Sequence, residues 1–247
     1  HHPTDYYLFF SFISFLSFSP QLQVPVLPSF PLVRNQHRVQ SHAASAVINF
    51  CENATLEILD PYLNTLMAKL AGLLQGGNKM VLEQAITAIA ALADVVEDRF
   101  ASYYDTFMPF LKEVLRNANG KDMRMLRGKA MECITLIGVA VGKEKFYADA
   151  KDVVQVLYAT QQSNLEPDDP QISFLLQAWA RVCKALGQEF VPYLEVVMPP
   201  LLHSAGLDPD LTVQGDGTTD PPPFLRLTLY TTRLAHVCLF LLLLLLR

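Results

Sequence analysis

The sequence contains few of the residues and motifs that catalysis requires. It has six histidines, four of them within the first 42 positions, so the middle of the chain is nearly without a general base. It also lacks the GxSxG, HExxH and GxxxxGK[ST] motifs. We therefore predict that the chain is not an enzyme, with no catalytic residues, no cofactor and no metal site.

Cysteine is scarce as well, with four residues and no CxxC pair. Cys51, Cys133 and Cys183 fall on predicted helices, and Cys238 lies near the end of the chain. Without paired spacing, neither a disulfide framework nor a zinc site is indicated. The pattern is typical of reduced core thiols in a cytosolic or nuclear protein.

Charged residues make up only 17% of the chain, and the formal net charge is −5. Residues 36–205 carry 15 Lys and Arg against 19 Asp and Glu, which gives 15 − 19 = −4. This mild acidity argues against direct binding of nucleic acid, which needs basic patches. It suits a basic partner, although a charge of this size is also ordinary for a soluble protein.

An internal repeat is the strongest positive feature of the sequence. A small apolar residue followed four positions later by Val or Ile recurs at offsets of 42, 45 and 48 residues. The pairs are Ala43/Val47, Ala85/Ile89, Ala130/Ile134 and Ala178/Val182. A second apolar column, at Leu59, Phe100, Phe146 and Phe190, keeps offsets of 41, 46 and 44. These periods match or lie close to the roughly 40–47 residues of HEAT repeats.

The repeat predicts an all-α, HEAT-repeat (armadillo-like) solenoid over residues 36–205, with about three full helical pairs and a half repeat at each end. We expect helices at about 37–53, 57–75, 79–98, 101–118, 122–142, 147–161, 170–187 and 191–204. Gly142 to Lys145 reads as a polar turn between two of them. Because both ends of the array expose apolar faces without a polar capping repeat, the chain reads as an internal slice of a longer protein.

The two flanks do not follow the repeat. Residues 1–35 contain an aromatic, apolar run from Tyr6 to Phe18 that is followed by prolines, so we favour a disordered or aberrant segment over a signal peptide. Residues 206–247 are Pro- and Gly-rich and then Leu-rich. Their apolar run of 13 residues, Leu234 to Leu246, is shorter than the roughly 20 residues that span a bilayer. We expect no membrane insertion, with a tail anchor as the alternative.

Several segments resemble the middle HEAT repeats of the importin-beta family, and they are closest to its karyopherin beta-3 (Ran-binding importin) branch. The segments are His42–Phe50, Val81–Gln84, Tyr103–Pro109, Leu126–Lys129, Ile137–Phe146, Asp168–Ile172 and Ala178–Arg181. Together they extend the resemblance over residues 36–206.

The resemblance implies a nuclear import receptor found in both cytoplasm and nucleus. In that family the second helix of each repeat lines the concave side, where basic localisation signals of cargo proteins bind. Here these inner helices are those near 37–53, 79–98, 122–142 and 170–187. Ran GTPase, which releases cargo in its GTP form, and nucleoporins are the further partners implied for the full-length protein. Much of the family's Ran-binding region would lie outside this slice.

The resemblance also suggests which residues bind cargo, because the family uses polar and acidic side chains on the inner helices. By position these are Asn49, Glu52, Glu83, Asp94 and Glu132, with Trp179 as an apolar contact. For the polar residues the alternative is an ordinary solvated side chain, and for Trp179 it is a core position.

A second class of function fits the same repeat pattern. A structural HEAT scaffold, such as a phosphatase regulatory or condensin-like subunit, would organise protein partners without any transport. The residues on the inner helices discriminate between the two, because transport predicts acidic and Asn side chains there and a scaffold does not require them.

Overall fold

The computed structural model describes residues 36–205 except positions 53, 77, 164 and 167, and it describes side chains only between 37 and 199. Within this part every regular element is a helix. The α-helices are α1 (Gln36–Cys51), α2 (Leu56–Leu74), α3 (Lys79–Val96), α4 (Tyr104–Asn117), α5 (Arg124–Gln162), α6 (Gln171–Leu186) and α7 (Leu194–Ala205). Short 3-10 helices cover Glu97–Ser102, Lys121–Met123 and Gly187–Tyr193. The predicted all-α class is confirmed, whereas the interpretations of both flanks lie outside the described residues.

The chain divides into two compact units that meet at Val141 and Gly142. The boundary falls inside α5, where Gly142 has φ +80° and ψ 173° and joins two helices across a kink. The sequence predicts a turn of several residues here. Instead the backbone leaves the helical region only at Gly142, because glycine adopts a positive φ without steric cost and one such residue is enough.

A positive φ angle occurs at the ends of three inner helices, at intervals of 45 residues. Positive φ angles occur at Glu97 (+48°), Gly142 (+80°) and Gly187 (+56°). Glycine suits this conformation, whereas a residue with a Cβ is strained in it. Glu97 is the only non-glycine with a positive φ in the described part of the chain.

Both repeat columns lie in the core. Leu59, Phe100, Phe146 and Phe190 are all fully buried, at 0% exposure. In the other column the Ala–Val/Ile pairs are buried in α3, α5 and α6, whereas in α1 the buried alanine is Ala44 rather than Ala43. Burying a large apolar side chain contributes roughly 1.5–3 kcal/mol. The columns therefore mark the positions that hold each helical pair together.

In the first unit, α3 packs against both α1 and α2. This explains why ten residues of α3 are buried, including Ala85, Ile86 and Ile89. At the start of α3 the side chain of Asn78 accepts a hydrogen bond from the Val81 N–H at 3.3 Å, which satisfies a backbone donor that the helix cannot pair. Two inner helices therefore lie side by side, with α2 behind α3.

In the second unit, Trp179 of α6 packs against Phe190 of the 3-10 helix that follows it. The Trp179 ring lies 6.2 Å from the Phe190 ring in an edge-on arrangement. Just before α6 begins, Asp169 Oδ1 accepts a hydrogen bond from the Gln171 N–H at 2.9 Å. This bond satisfies one of the unpaired amides at the helix start.

Among the helices that the structure describes, none combines the length and the apolar character needed to cross a lipid bilayer.

Candidate functional site

Polar side chains are spaced along one side of α1 and along one side of α3. On α1, Ser45, Asn49 and Glu52 follow one another at spacings of four and three residues, with Glu52 one residue past the helix end. On α3, Glu83, Thr87 and Asp94 are spaced by four and seven. These spacings place each set on a single side of its helix. Asn49, Glu52 and Asp94 are exposed, and we call the two sets, with Lys129 and Glu132 of α5, the polar face.

Two inter-helix hydrogen bonds hold the members of the polar face together. The Ser45 hydroxyl donates to Gln84 Oε1 at 2.9 Å, which joins α1 to α3. Lys129 Nζ donates to Thr87 Oγ1 at 2.9 Å, which joins α5 to α3. Both bonds pair a hydroxyl with a long polar side chain on the next inner helix. We refer to them as the two polar pairs.

The Glu83 side chain is mostly buried and forms an ion pair with Lys79. Its side chain is only 18% exposed, and its Oε1 lies 3.9 Å from Lys79 Nζ. That oxygen is buried and accepts no hydrogen bond. Lys79 Nζ also donates to the backbone oxygen of Asp122, so the lysine is held in place. Of the predicted acidic candidates, Glu83 is thus less accessible than Glu52 or Asp94.

Glu132 lies three residues after Lys129 on α5 and is half-buried. It already takes part in a polar or electrostatic interaction. Burial, with a smaller contribution from the Glu132 carboxylate, raises the pKa of the neighbouring Cys133 thiol. Glu132 therefore belongs to the edge of the polar face rather than to its exposed part.

The structure corrects the expectation that Trp179 contacts a partner. The side chain is 1% exposed. Its indole N–H donates to Gln161 Oε1 at 2.7 Å, and its ring packs on Phe190. A buried indole usually has its N–H paired in this way. Trp179 is a core residue of the second unit, and none of its ring surface is left for a ligand.

The prediction that the cysteines occupy core positions is confirmed for three of the four. Cys51, Cys133 and Cys183 are unpaired and buried. Burial raises the pKa of Cys51 to about 12 and the pKa of Cys183 to about 11, because the thiolate is disfavoured in an apolar surrounding. In the described residues no group of three His, Cys, Asp or Glu side chains could hold a metal ion.

The sequence reasoning missed Ser45, Gln84, Thr87 and Lys129, which position the polar face. A signal for two of them was present, since Ser45 and Thr87 are 42 residues apart, the same offset as Ala43 and Ala85. A hydroxyl that recurs at the repeat period on the exposed side of an inner helix indicates a shared structural role. Their partners, Gln84 and Lys129, are residues of different types, so a recurring residue type does not reveal them.

Helical pairs that repeat every 40–50 residues and present a polar face define a helical-repeat binding protein. The family model described as "Importin subunit beta-1-like, TPR repeats" matches residues 33–214. The chain belongs to the importin-beta family, whose members are transport receptors and not enzymes.

Individual relatives agree with this assignment. Importin subunit beta-3 of Saccharomyces cerevisiae is 45% identical over 201 residues, which is 78% of this chain and 18% of the relative. The structure of Kap121p bound to Pho4p matches with a TM-score of 0.68 and 38% identity, over 88% of this chain and 19% of that one. Kap121p bound to Nup53p matches with a TM-score of 0.63 and 43% identity, over 74% and 17%. The resemblance to the karyopherin beta-3 branch is thus confirmed, and the chain spans under a fifth of these relatives.

Proposed function

We propose that this chain is the part of a nuclear import receptor that binds basic localisation signals of cargo proteins. The observation that carries the proposal is the exposure of Asn49, Glu52 and Asp94 on two neighbouring inner helices. Carboxylates and amide oxygens accept hydrogen bonds from lysine and arginine, and charge-assisted bonds are the stronger kind. Family membership favours transport over the structural-scaffold alternative.

The spacing of the helices sets an expectation for the ligand. Neighbouring packed helices lie roughly 8–10 Å apart, and an extended peptide rises about 3.3 Å per residue. A peptide crossing α1 and α3 therefore meets a new helix about every third residue. Basic side chains at this interval fit Glu52 and Asp94, which are also 42 residues apart.

The strength of binding is limited by the exposure of the carboxylates. An exposed ion pair contributes roughly 0.2–1 kcal/mol and weakens as salt increases. Low-micromolar affinity corresponds to about −8 kcal/mol, so several contacts must act together. The proposal accordingly includes contributions from the peptide backbone and from neutral groups such as Asn49.

For the complete protein, we extend the proposal to cargo release by Ran-GTP, to nucleoporin binding and to movement between cytoplasm and nucleus. Support for cargo and nucleoporin partners comes from Kap121p, which has been solved with Pho4p and with Nup53p. Ran binding rests on the family resemblance alone.

The test is a titration of the chain with a fluorescent peptide that has lysine at every third position. We expect low-micromolar binding at low salt that weakens steadily as salt is raised. Asn49→Ala with Glu52→Ala should weaken it about tenfold. The matched control is Glu113→Ala with Asn117→Ala, which changes the same two residue types on the exposed side of the outer helix α4. If the native chain is folded by circular dichroism and does not bind, or if both double variants behave alike, the proposal fails.

A further inference from the structure

We propose that Lys129 determines specificity by acting as a built-in cation on the polar face. The Lys129 ammonium repels basic ligand residues, and attracts acidic ones, at the place where α3 and α5 are joined by the Lys129–Thr87 hydrogen bond. The inference rests on the proposed function, because it divides the same face into a part that accepts cations and a part that rejects them.

The position of the Lys129 ammonium is fixed by a chain of hydrogen bonds. Its Nζ lies 2.9 Å from Thr87 Oγ1. The Thr87 hydroxyl uses its own proton to donate to the backbone oxygen of Glu83 at 2.8 Å. A hydroxyl that has given its proton away presents only lone pairs, which suit an ammonium group. Thr87 therefore holds Lys129 against α3 instead of letting the side chain extend freely into solvent.

The surrounding charges do not cancel this cation. Glu83, one turn before Thr87, is already paired with Lys79 at 3.9 Å. Lys79 and Glu83 compensate each other, which leaves Lys129 as the cation beside Thr87. Glu132, three residues from Lys129, takes part in another interaction. The net positive charge of this group is thus carried by Lys129, beside Thr87 in the first half of α3.

The exposed acidic residues of the polar face, Glu52 and Asp94, lie toward the C-terminal ends of α1 and α3. Asp94 follows Thr87 by seven residues, which is about 10 Å along a helix axis. This distance is close to one Debye length at about 0.1 M salt, so the two ends can attract different charges at low and moderate salt. The polar face is therefore bipolar along α3, and a ligand with both basic and acidic residues matches it better than a purely basic one.

The experiment compares three peptides of equal length. The lysine peptide has lysine at every third position. In the first mixed peptide the lysines of one terminal third are replaced by glutamate. A second mixed peptide carries the glutamates at the opposite terminus. For the native chain we expect one mixed peptide to bind about threefold more tightly than the lysine peptide at low salt. Lys129→Glu should reverse this preference, Lys129→Gln should abolish it, and Lys129→Arg should retain it.

The matched control is Lys69→Glu, which makes the same change of net charge at an exposed lysine on α2. The control should leave the preference unchanged. The inference is overturned if the native chain prefers the lysine peptide to both mixed peptides, or if Lys129→Gln keeps the preference of the native chain. Because Lys129→Gln keeps a side-chain donor for Thr87, it tests the charge even if Lys129→Glu disturbs folding. Failure of the proposed function gives a different result, namely that none of the peptides binds the native chain.

Discussion

The Ser45 hydroxyl donates to Gln84 Oε1 at 2.9 Å, which links two inner helices across 39 residues of sequence. Lys129 and Thr87 form the corresponding link between α3 and α5. Such bonds are directional, whereas apolar packing between helices tolerates small rotations. The polar pairs therefore fix which side chains each inner helix presents on the polar face.

A double-mutant cycle on Ser45 and Gln84 tests this link. We expect Ser45→Ala and Gln84→Ala to destabilise the chain, with a coupling energy of about 0.5–1.5 kcal/mol, because each single change breaks the same hydrogen bond. Urea unfolding of the two single variants and the double variant measures the coupling. Replacement of the exposed Lys69 of α2 together with Ser45 serves as the control cycle. Additive effects in the Ser45–Gln84 cycle would contradict a direct bond.

Replacing Glu97 by glycine is expected to stabilise the first unit. Glu97 has φ +48°, where the structurally matching positions 142 and 187 carry glycine. Relief of the strain should raise the free energy of unfolding by about 1 kcal/mol. Glu97→Ala is the control, since it removes the carboxylate and keeps the strain. Stabilisation by alanine equal to that by glycine would show that charge, and not the backbone, was responsible.

The buried indole of Trp179 should report unfolding but not ligand binding. Because Trp179 is the single tryptophan and its ring is 1% exposed, a saturating basic peptide should leave its emission maximum unchanged. Gln161→Ala leaves the indole N–H without its acceptor and should cost roughly 1–3 kcal/mol. Gln162→Ala, at an exposed neighbouring position, should cost little. A shift of the emission on peptide binding would contradict the core assignment.

The buried thiols predict a specific dependence on pH. The pKa of Cys51 is raised from 9.0 to about 12, so the unfolded chain releases this proton at a lower pH than the folded chain. The stabilising effect of the neutral thiol is complete below pH 9 and is lost progressively between pH 9 and about 12. Stability should accordingly fall as the pH rises above 9. Urea unfolding at a series of pH values measures this, and Cys51→Ala should make the profile shallower while Cys133 and Cys183 keep part of the dependence.

The same thiols should resist alkylation in the folded chain. At pH 8, iodoacetamide should modify Cys51, Cys133 and Cys183 slowly in buffer and rapidly in urea, because the thiolate is the reactive form. Mass mapping of the three sites separates them from Cys238. Rapid labelling of Cys133 in buffer would show that its helix opens readily.

Much of the fold follows from apolar periodicity, because a residue that recurs at the repeat period has to fill the same space each time. Leu59, Phe100, Phe146 and Phe190 could be selected in this way, and all are fully buried. The single-residue break at Gly142 could not be predicted, since a polar stretch such as Gly142 to Lys145 is compatible with either a turn or a helix start.

The candidate site was less accessible to such reasoning. The family resemblance, together with position on the inner helices, selected Asn49, Glu52 and Asp94, and they are exposed. Their role in binding stays a prediction. The engagement of Glu83 by Lys79 depends on side-chain geometry, and the burial of Trp179 depends on its packing against Phe190 and its bond to Gln161. Periodicity does not encode these contacts.

The two polar pairs also have a consequence for how such a surface evolves. In one pair the hydroxyl of Ser45 donates to an amide, and in the other the hydroxyl of Thr87 accepts from an ammonium. Since a hydroxyl can do either, its partner can change between neutral and cationic without any change in the packing of the helices. Point substitutions at positions such as Gln84 and Lys129 could then diversify ligand preference among related receptors while the architecture stays constant.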